Sequence, residues 1–225
     1  QANRYLAPFE RKIGPDPASI ASCQIGGIAA NNASGMCCGV AQNSYQTLVS
    51  MRLVLADGSL LDTGDPESRA AFSASHGRLL QGIRELVEEV RANTPLAQRI
   101  ADKFKIKNTT GYSLNALVDF DDPIDVLQHL MIGSEGTLGF IAEITYRTVA
   151  EHPHKASALV CFPDVKTACT AVARLKSEPV DAVEIMDRAA IGSVEDQPGM
   201  LPELAALTTE AAALLIETRA AVVET

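Results

Sequence analysis

The residues from Ile25 to Gly35, Ile-Gly-Gly-Ile-Ala-Ala-Asn-Asn-Ala-Ser-Gly, combine two adjacent glycines with short polar side chains and nothing bulky. Gly26 and Gly27 lack Cβ atoms and let the main chain approach a ligand closely, while the small residues behind them leave backbone N–H groups uncovered. A helix started after the glycines would add the partial positive charge of its amino end. A phosphate or diphosphate is the natural guest of such a loop. A tightly packed Gly/Ala turn is the alternative these residues leave open.

A second glycine bend, Gly133-Ser134-Glu135-Gly136-Thr137-Leu138-Gly139, runs into Phe140 to Arg147, an alternating, β-branched stretch that reads as a strand. Thr137 and Gly139 are expected where backbone passes close to a ligand, and Glu135 reads either as a ligand contact or as a solvated turn carboxylate. The order, glycine bend and then strand, is the reverse of the strand–glycine–helix order of a Rossmann loop. The Gly-Lys-Ser/Thr ending of a P-loop is missing as well.

Other reactive side chains read as structural. Lys107 and Tyr112 are expected to pack, and the neighbours Cys37 and Cys38 are too strained for a mutual disulfide and have no further ligand nearby in sequence. His152 and His154 fall in an extended linker, and His76 and His129 are single residues of surface or core. No residue is nominated as a general base, and no metal site is indicated.

Composition narrows the classes. Nineteen Lys and Arg against 28 Asp and Glu give a net charge of −9, which repels nucleic-acid phosphates. No apolar run approaches the roughly 20 residues of a membrane-spanning helix, and no secretion signal opens the chain. Five cysteines without Cys-x-x-Cys spacing fit a reducing cytoplasm better than a disulfide framework or a zinc site. A chain of 225 residues that lacks an initiator Met and starts inside what reads as structure is expected to be a piece of a longer polypeptide.

The elements that must position these bends follow from pattern. Leu48 to Leu55 and Ser59 to Thr63 form a hairpin through Ala56-Asp57-Gly58. From Pro66 a helical period aligns Leu79, Leu80, Ile83, Leu86, Val87 and Val90 on one face and ends near Asn93-Thr94-Pro95. Further helices are expected over Leu96 to Phe104 and Pro123 to Ile132, with Asp121 and Asp122 as caps. After the linker Glu151 to His154 comes a βαβ-like unit: a strand Ala156 to Phe162, a helix Asp164 to Ser177 carrying Val165, Ala168, Cys169, Val172 and Leu175 inward, and a strand Val180 to Met186. On this spacing Cys169 is a core residue. Pro202 to Val223 passes as helix by propensity, and Leu214 to Arg219 within it passes as a strand.

Four blocks together resemble the FAD-linked oxidases of the vanillyl-alcohol-oxidase (PCMH-type) superfamily, nearest their D-2-hydroxyacid dehydrogenase branch. They are Lys12 to Ile20 (Lys-Ile-Gly-Pro-Asp-Pro-Ala-Ser-Ile), Ile25 to Gly35, Lys107 to Leu114 (Lys-Asn-Thr-Thr-Gly-Tyr-Ser-Leu) and Gly133 to Ile141. The order and separation of the blocks carry the likeness, which spans about residues 10 to 190. Ser34 to Tyr45, Ser-Gly-Met-Cys-Cys-Gly-Val-Ala-Gln-Asn-Ser-Tyr, is similar to the respiratory D-lactate dehydrogenases that join a flavin half to an iron–sulfur half. Enzymes acting on D-2-hydroxyglutarate or glycolate share most of the motifs.

The resemblance implies an α+β architecture, with the second half of a PCMH-type FAD-binding domain over residues 1–150 and the start of a ferredoxin-like cap domain over 151–225. It implies non-covalent FAD bordered by Pro15, Asp16, Pro17, Ala18, Ser19 and Ile20, by Gly26, Gly27, Asn31, Asn32, Ala33, Ser34 and Gly35, and by Glu135, Gly136, Thr137, Leu138, Gly139 and Ile141. It further implies a small 2-hydroxy acid as substrate, D-lactate first, and electrons leaving to a quinone or to iron–sulfur clusters carried elsewhere in the polypeptide. The location implied is cytoplasmic, peripheral at the inner face of the membrane. The family places a further phosphate loop before this region and its catalytic His, substrate Arg and metal ligands after it. The chain by itself is therefore expected to be inactive and to hold FAD weakly, because several missing charge-assisted contacts of about 1.5–3 kcal/mol each cost many powers of ten in affinity. A non-catalytic nucleotide-binding module, and a lyase or ether-lipid synthase on the same flavin fold, are the alternatives.

Overall fold

The structure, a computed structural model, describes residues 1–222. Contacts divide the chain into two compact units, Gln1–Ala150 and Glu151–Thr225. The first unit runs α1 (Ala2–Leu6), β1 (Arg11–Ile13), α2 (Ile25–Asn31), α3 (Ser44–Thr47), β2 (Leu48–Val54), β3 (Leu60–Asp62), α4 (Pro66–Ser75), α5 (Gly77–Ala92), α6 (Thr94–Lys103), α7 (Ala116–Asp119), α8 (Pro123–Leu130), β4 (Phe140–Tyr146) and β5 (Thr148–Ala150). Two small antiparallel sheets, β1-β5 and β3-β2-β4, carry these elements. The inward residues of β2 and β3, Met51, Leu53 and Leu61, meet Leu80, Ile83, Val126, Met131 and Ile132 from the helical layer in one core.

The hairpin between β2 and β3 follows its turn chemistry. Gly58 takes φ +83°, and the Asp57 carboxylate accepts the Ser59 N–H at 2.9 Å and its hydroxyl at 2.6 Å. The helical pattern from Pro66 does not give one helix. It breaks at His76, whose ring stacks on Phe72 at 4.1 Å and reaches the Asp57 carboxylate at 3.1 Å. After that break α5 buries Leu80, Ile83, Val87 and Val90, while Leu79 and Leu86 stay exposed at 41% and 50%. The inward stripe is therefore four residues wide, narrower than the six that share the apolar pattern. Asp65, Asn93 and Asp122 cap α4, α6 and α8 with their side chains, and each of these helices has Pro in its first turn. His129 is a core residue, stacked on Phe120 at 3.9 Å and edge-on to Tyr45 at 4.9 Å. Its burial holds the imidazole pKa below the usual value.

The second unit contains β6 (His154–Phe162), α9 (Val165–Leu175), β7 (Ala182–Met186), α10 (Arg188–Gly192) and β8 (Ala212–Ala220). Strand β8 lies between β6 and β7 and is antiparallel to both, so β6 and β7 run parallel with α9 crossing between them. This is a split βαβ, a half of the ferredoxin-like arrangement. Three readings are corrected here. The ambiguous C-terminal stretch is a strand, because Ala212, Ala213 and Leu214 are fully buried in the middle of the sheet and tertiary packing overrides helix propensity. Its last residue, Val223, lies outside the described residues. Helix α9 turns Ala168, Ala171 and Leu175 inward, which leaves Cys169, Val165 and Val172 exposed, so Cys169 is not a core residue. His154 belongs to β6 and not to the linker. Among the described residues no helix is long and apolar enough to cross a membrane.

Candidate functional site

Both glycines of the first bend lie inside α2, in its first turn, and not ahead of the helix. Gln24 provides no side-chain cap, so the opening amides of Ile25, Gly26 and Gly27 have no intrahelical acceptor. A Cβ on Gly27 would meet no atom within 4 Å, and one on Gly26 would meet only the Ile141 carbonyl at 3.9 Å. A cleft of about 610 Å³ opens at this end of the helix, lined by Ile13, Ile20, Cys23, Gln24, Ile25 and Ile28. Ser19 and Ile20 are exposed, as is Ala18, whereas Pro15 and Pro17 are buried.

At its other end α2 meets the second bend directly. Asn32 stops the helix in the left-handed conformation, φ +49°, and the Gly133 and Glu135 amides donate to the Ala29 and Ala30 carbonyls at 3.0 and 2.8 Å. Asn31 Nδ2 donates to Glu135 Oε1 at 2.6 Å. Glu135 is an exposed turn residue whose Oε1 is engaged by Asn31. The amides of Gly133 and Glu135 are committed to the helix, which removes them from the set of uncovered donors. Gly139 also has a protein reason: a Cβ there would fall 3.0 Å from the Val54 carbonyl.

The block Lys107 to Leu114 completes a three-way junction. Asn32 Nδ2 reaches the Asn108 carbonyl at 3.5 Å, and Ser113 Oγ donates to the Ile132 carbonyl at 2.7 Å. Thr137 Oγ1 donates to the Ser134 carbonyl at 2.6 Å, so the Tyr112 hydroxyl, 2.7 Å away, donates to Thr137. The Tyr112 hydroxyl has the hydrogen bond expected of it, but the residue is 42% exposed and Lys107 is exposed too, so neither packs as expected. Lys107 lies within reach of the Gly35 carbonyl, at 3.4 Å.

Asn32 Oδ1 and Ser134 Oγ at this junction are buried without a partner among the described residues, and Ser34 Oγ is buried with the Cys38 thiol as its neighbour. Orphaned buried groups are costly and mark places where a ligand or ordered water belongs. Asn32 and Ser34 are in the sequence-derived set. Ser134 is not, although its signal was present in the Gly-Ser-Glu-Gly run. A Cβ on Gly35 would fall 1.9 Å from the Asp16 carbonyl oxygen, so close packing on Asp16 already requires a glycine there. Cys38 is buried, and desolvation pushes its thiol pKa up, which suppresses the reactive thiolate. None of the five cysteines is in a disulfide, and no group of three metal-ligating side chains occurs among the described residues.

A junction of glycine bends around one short helix in the first unit, and a split βαβ in the second, are each matched by known sequences. Residues 1–64 match the family model of the FAD binding domain, and residues 151–224 match that of the C-terminal domain of FAD linked oxidases. The chain thus carries segments of an FAD binding domain and of the C-terminal domain of FAD linked oxidases, in a mixed α/β architecture.

Its curated relatives include the D-2-hydroxyglutarate dehydrogenase of Pantoea ananatis, 31% identical over 150 residues that make up 64% of this chain and 14% of the relative. The mitochondrial D-lactate dehydrogenase [cytochrome] of Arabidopsis thaliana is 28% identical over 196 residues, 86% of this chain and 25% of the relative. Between 14% and 25% of such relatives' length is spanned by the chain. Among solved structures, an alkyldihydroxyacetonephosphate synthase aligns with a TM-score of 0.54 at 16% identity, covering 97% of this chain and 32% of the other, a likeness of fold.

Proposed function

We propose that these residues belong to an FAD-dependent dehydrogenase that oxidises a D-2-hydroxy acid to the 2-oxo acid. The observations that carry the reading lie at the two ends of α2: its amino end borders a cleft, and at its carboxyl end Asn32 Oδ1 and Ser134 Oγ are buried and unpartnered among the described residues. That donor and acceptor set fits a diphosphate-linked dinucleotide, which needs many neutral hydrogen-bonding groups and no ionised ones. When bound, FAD supplies the isoalloxazine that accepts the hydride. Gly26 and Gly27 allow close approach, the Ser34 hydroxyl can donate to a cofactor oxygen, and Asn32 Oδ1 can accept from a cofactor hydroxyl or N–H. Ala18, Ser19, Ile20, Gly136 and Thr137, all exposed, border it. Pro15, Pro17, Gly35 and Gly139 support the bends from behind.

D-lactate is the narrower substrate reading, from the likeness of Ser34 to Tyr45 to the respiratory enzymes. A second reading, D-2-hydroxyglutarate, is favoured by the Pantoea ananatis relative. Electrons would pass to a quinone or an iron–sulfur relay, in a cytoplasmic protein peripheral at the inner face of a membrane. Absorbance of the complete purified protein in the flavin bands tests the cofactor; a colourless protein that does not take up FAD overturns the reading in favour of a non-catalytic module. Turnover of D-lactate against D-2-hydroxyglutarate with an artificial electron acceptor then ranks the substrates by kcat/KM.

A further inference from the structure

We propose that α5 is a docking surface for a second copy of this chain, the two α5 helices pairing antiparallel through Leu79, Gly82 and Leu86. The inference does not rest on the FAD reading. Leu79 and Leu86 stay 41% and 50% exposed on a helix that buries Leu80, Ile83, Val87 and Val90. They stand one heptad apart on the same stripe, with Gly82 between them. Together with Arg78 and the edge of Ile83 they line a shallow groove of about 470 Å³. A Cβ on Gly82 would meet no atom within 4 Å, so packing within this unit does not require a glycine there. Glycine in the interior of a helix costs stability relative to alanine, and a second helix passing close over the groove accounts for its presence.

The charges beside the stripe select the occupant. Each residue turns about 100° round a helix, so Arg78, Glu85 and Glu89 fall within about 40° of one another, on the flank of the stripe away from the buried face. All three are exposed. Glu85 Oε1 accepts from Gln81 Nε2 at 3.0 Å, and Arg78 and Glu89 form no salt bridge among the described residues. The positive charge stands at the amino end of this flank and the two negative charges towards its carboxyl end. A twofold axis perpendicular to both helices, and to the line joining them, brings the same flank of each helix together with its direction reversed. Arg78 of each copy then faces Glu85 and Glu89 of the other, and Leu79 lies against Leu86. A parallel pairing would set like charges side by side, so the flank is complementary to itself only in the antiparallel sense. A contact centred on one helix of 16 residues is small for a permanent interface, and the dimer is expected to dissociate in the micromolar range.

The test is sedimentation velocity of the complete protein over about 1–100 µM, with thermal midpoints alongside. The wild type is expected to pass from monomer to dimer across that range. Leu86→Glu puts a charge on the stripe at an exposed position; it should weaken the dimer by about tenfold or more and leave the thermal midpoint of the monomer in place. Arg78→Glu makes the flank wholly acidic and should weaken the dimer by about tenfold, whereas Arg78→Glu/Glu89→Arg exchanges the two ends and should return to within about threefold of wild type. A wild type that stays monomeric to the top of the range overturns the proposal and leaves the stripe to a different occupant. A dimer that Leu86→Glu does not weaken runs through another surface and overturns it too. An exchanged double variant as weak as Arg78→Glu overturns the antiparallel pairing. Should Leu86→Glu fail to fold, the charge variants, which lie wholly on the surface, decide by the same criterion.

Discussion

At the first bend a Cβ on Gly27 would meet nothing within 4 Å, whereas at the second a Cβ on Gly133 would fall 2.9 Å from the Gly111 carbonyl and one on Gly139 3.0 Å from the Val54 carbonyl. The same residue type thus answers two different demands. Gly26 and Gly27 keep space open in front of helix amides that have no intrahelical acceptor. Gly133 and Gly139 let one stretch of backbone pass another, and the Gly133 amide is already spent on the Ala29 carbonyl. A glycine-rich run in a sequence reports that backbone comes close to something; the structure decides whether that something is ligand space or protein.

Substitutions separate the two kinds. Gly35→Ala belongs with the packed glycines and is the most severe case, because its methyl group would meet Asp16 main chain that cannot rotate away. A loss of about 3 kcal/mol is expected in chemical denaturation, with FAD binding lost in parallel. Gly133→Ala combines φ +85° with the Gly111 carbonyl and should cost about 2 kcal/mol. Gly27→Ala should do the opposite to stability, raising it by up to about 1 kcal/mol through helix propensity, while FAD affinity falls. A Gly27→Ala protein that is both more stable and binds FAD as well as wild type would erase the distinction between the bends. Tyr112→Phe removes one hydrogen bond to Thr137 on a half-exposed face, and a loss of about 0.5–1 kcal/mol in thermal or denaturant unfolding is expected.

How much of this was legible in the sequence depended on whether the signal was local. The Asp57-Gly58 hairpin and the Asp122-Pro123 helix start act through their own neighbours, and both elements are present where the residues place them. The break at His76 needed Asp57, nineteen residues away along the chain, and the Ala212–Ala220 strand needed two partners on either side. Pattern alone overcounted the inward face of α5 by Leu79 and Leu86, since apolar spacing does not tell which edge of a stripe is covered. In the candidate site the glycine blocks were visible, and their meeting around α2 was not, because the bonds that join them link residues about a hundred positions apart. Asp16 enters the candidate set through the family resemblance alone, and the bond its carboxylate accepts from the Cys38 N–H, twenty-two residues on, was not legible from pattern.

Amide hydrogen exchange of the complete protein with and without FAD tests the central claim most directly. The account predicts that FAD slows exchange at Ile25, Gly26 and Gly27 and at Ser34, and leaves Gly133 and Glu135, already bonded to α2, unchanged. Unchanged exchange at Ile25 to Gly27 with FAD bound would contradict it.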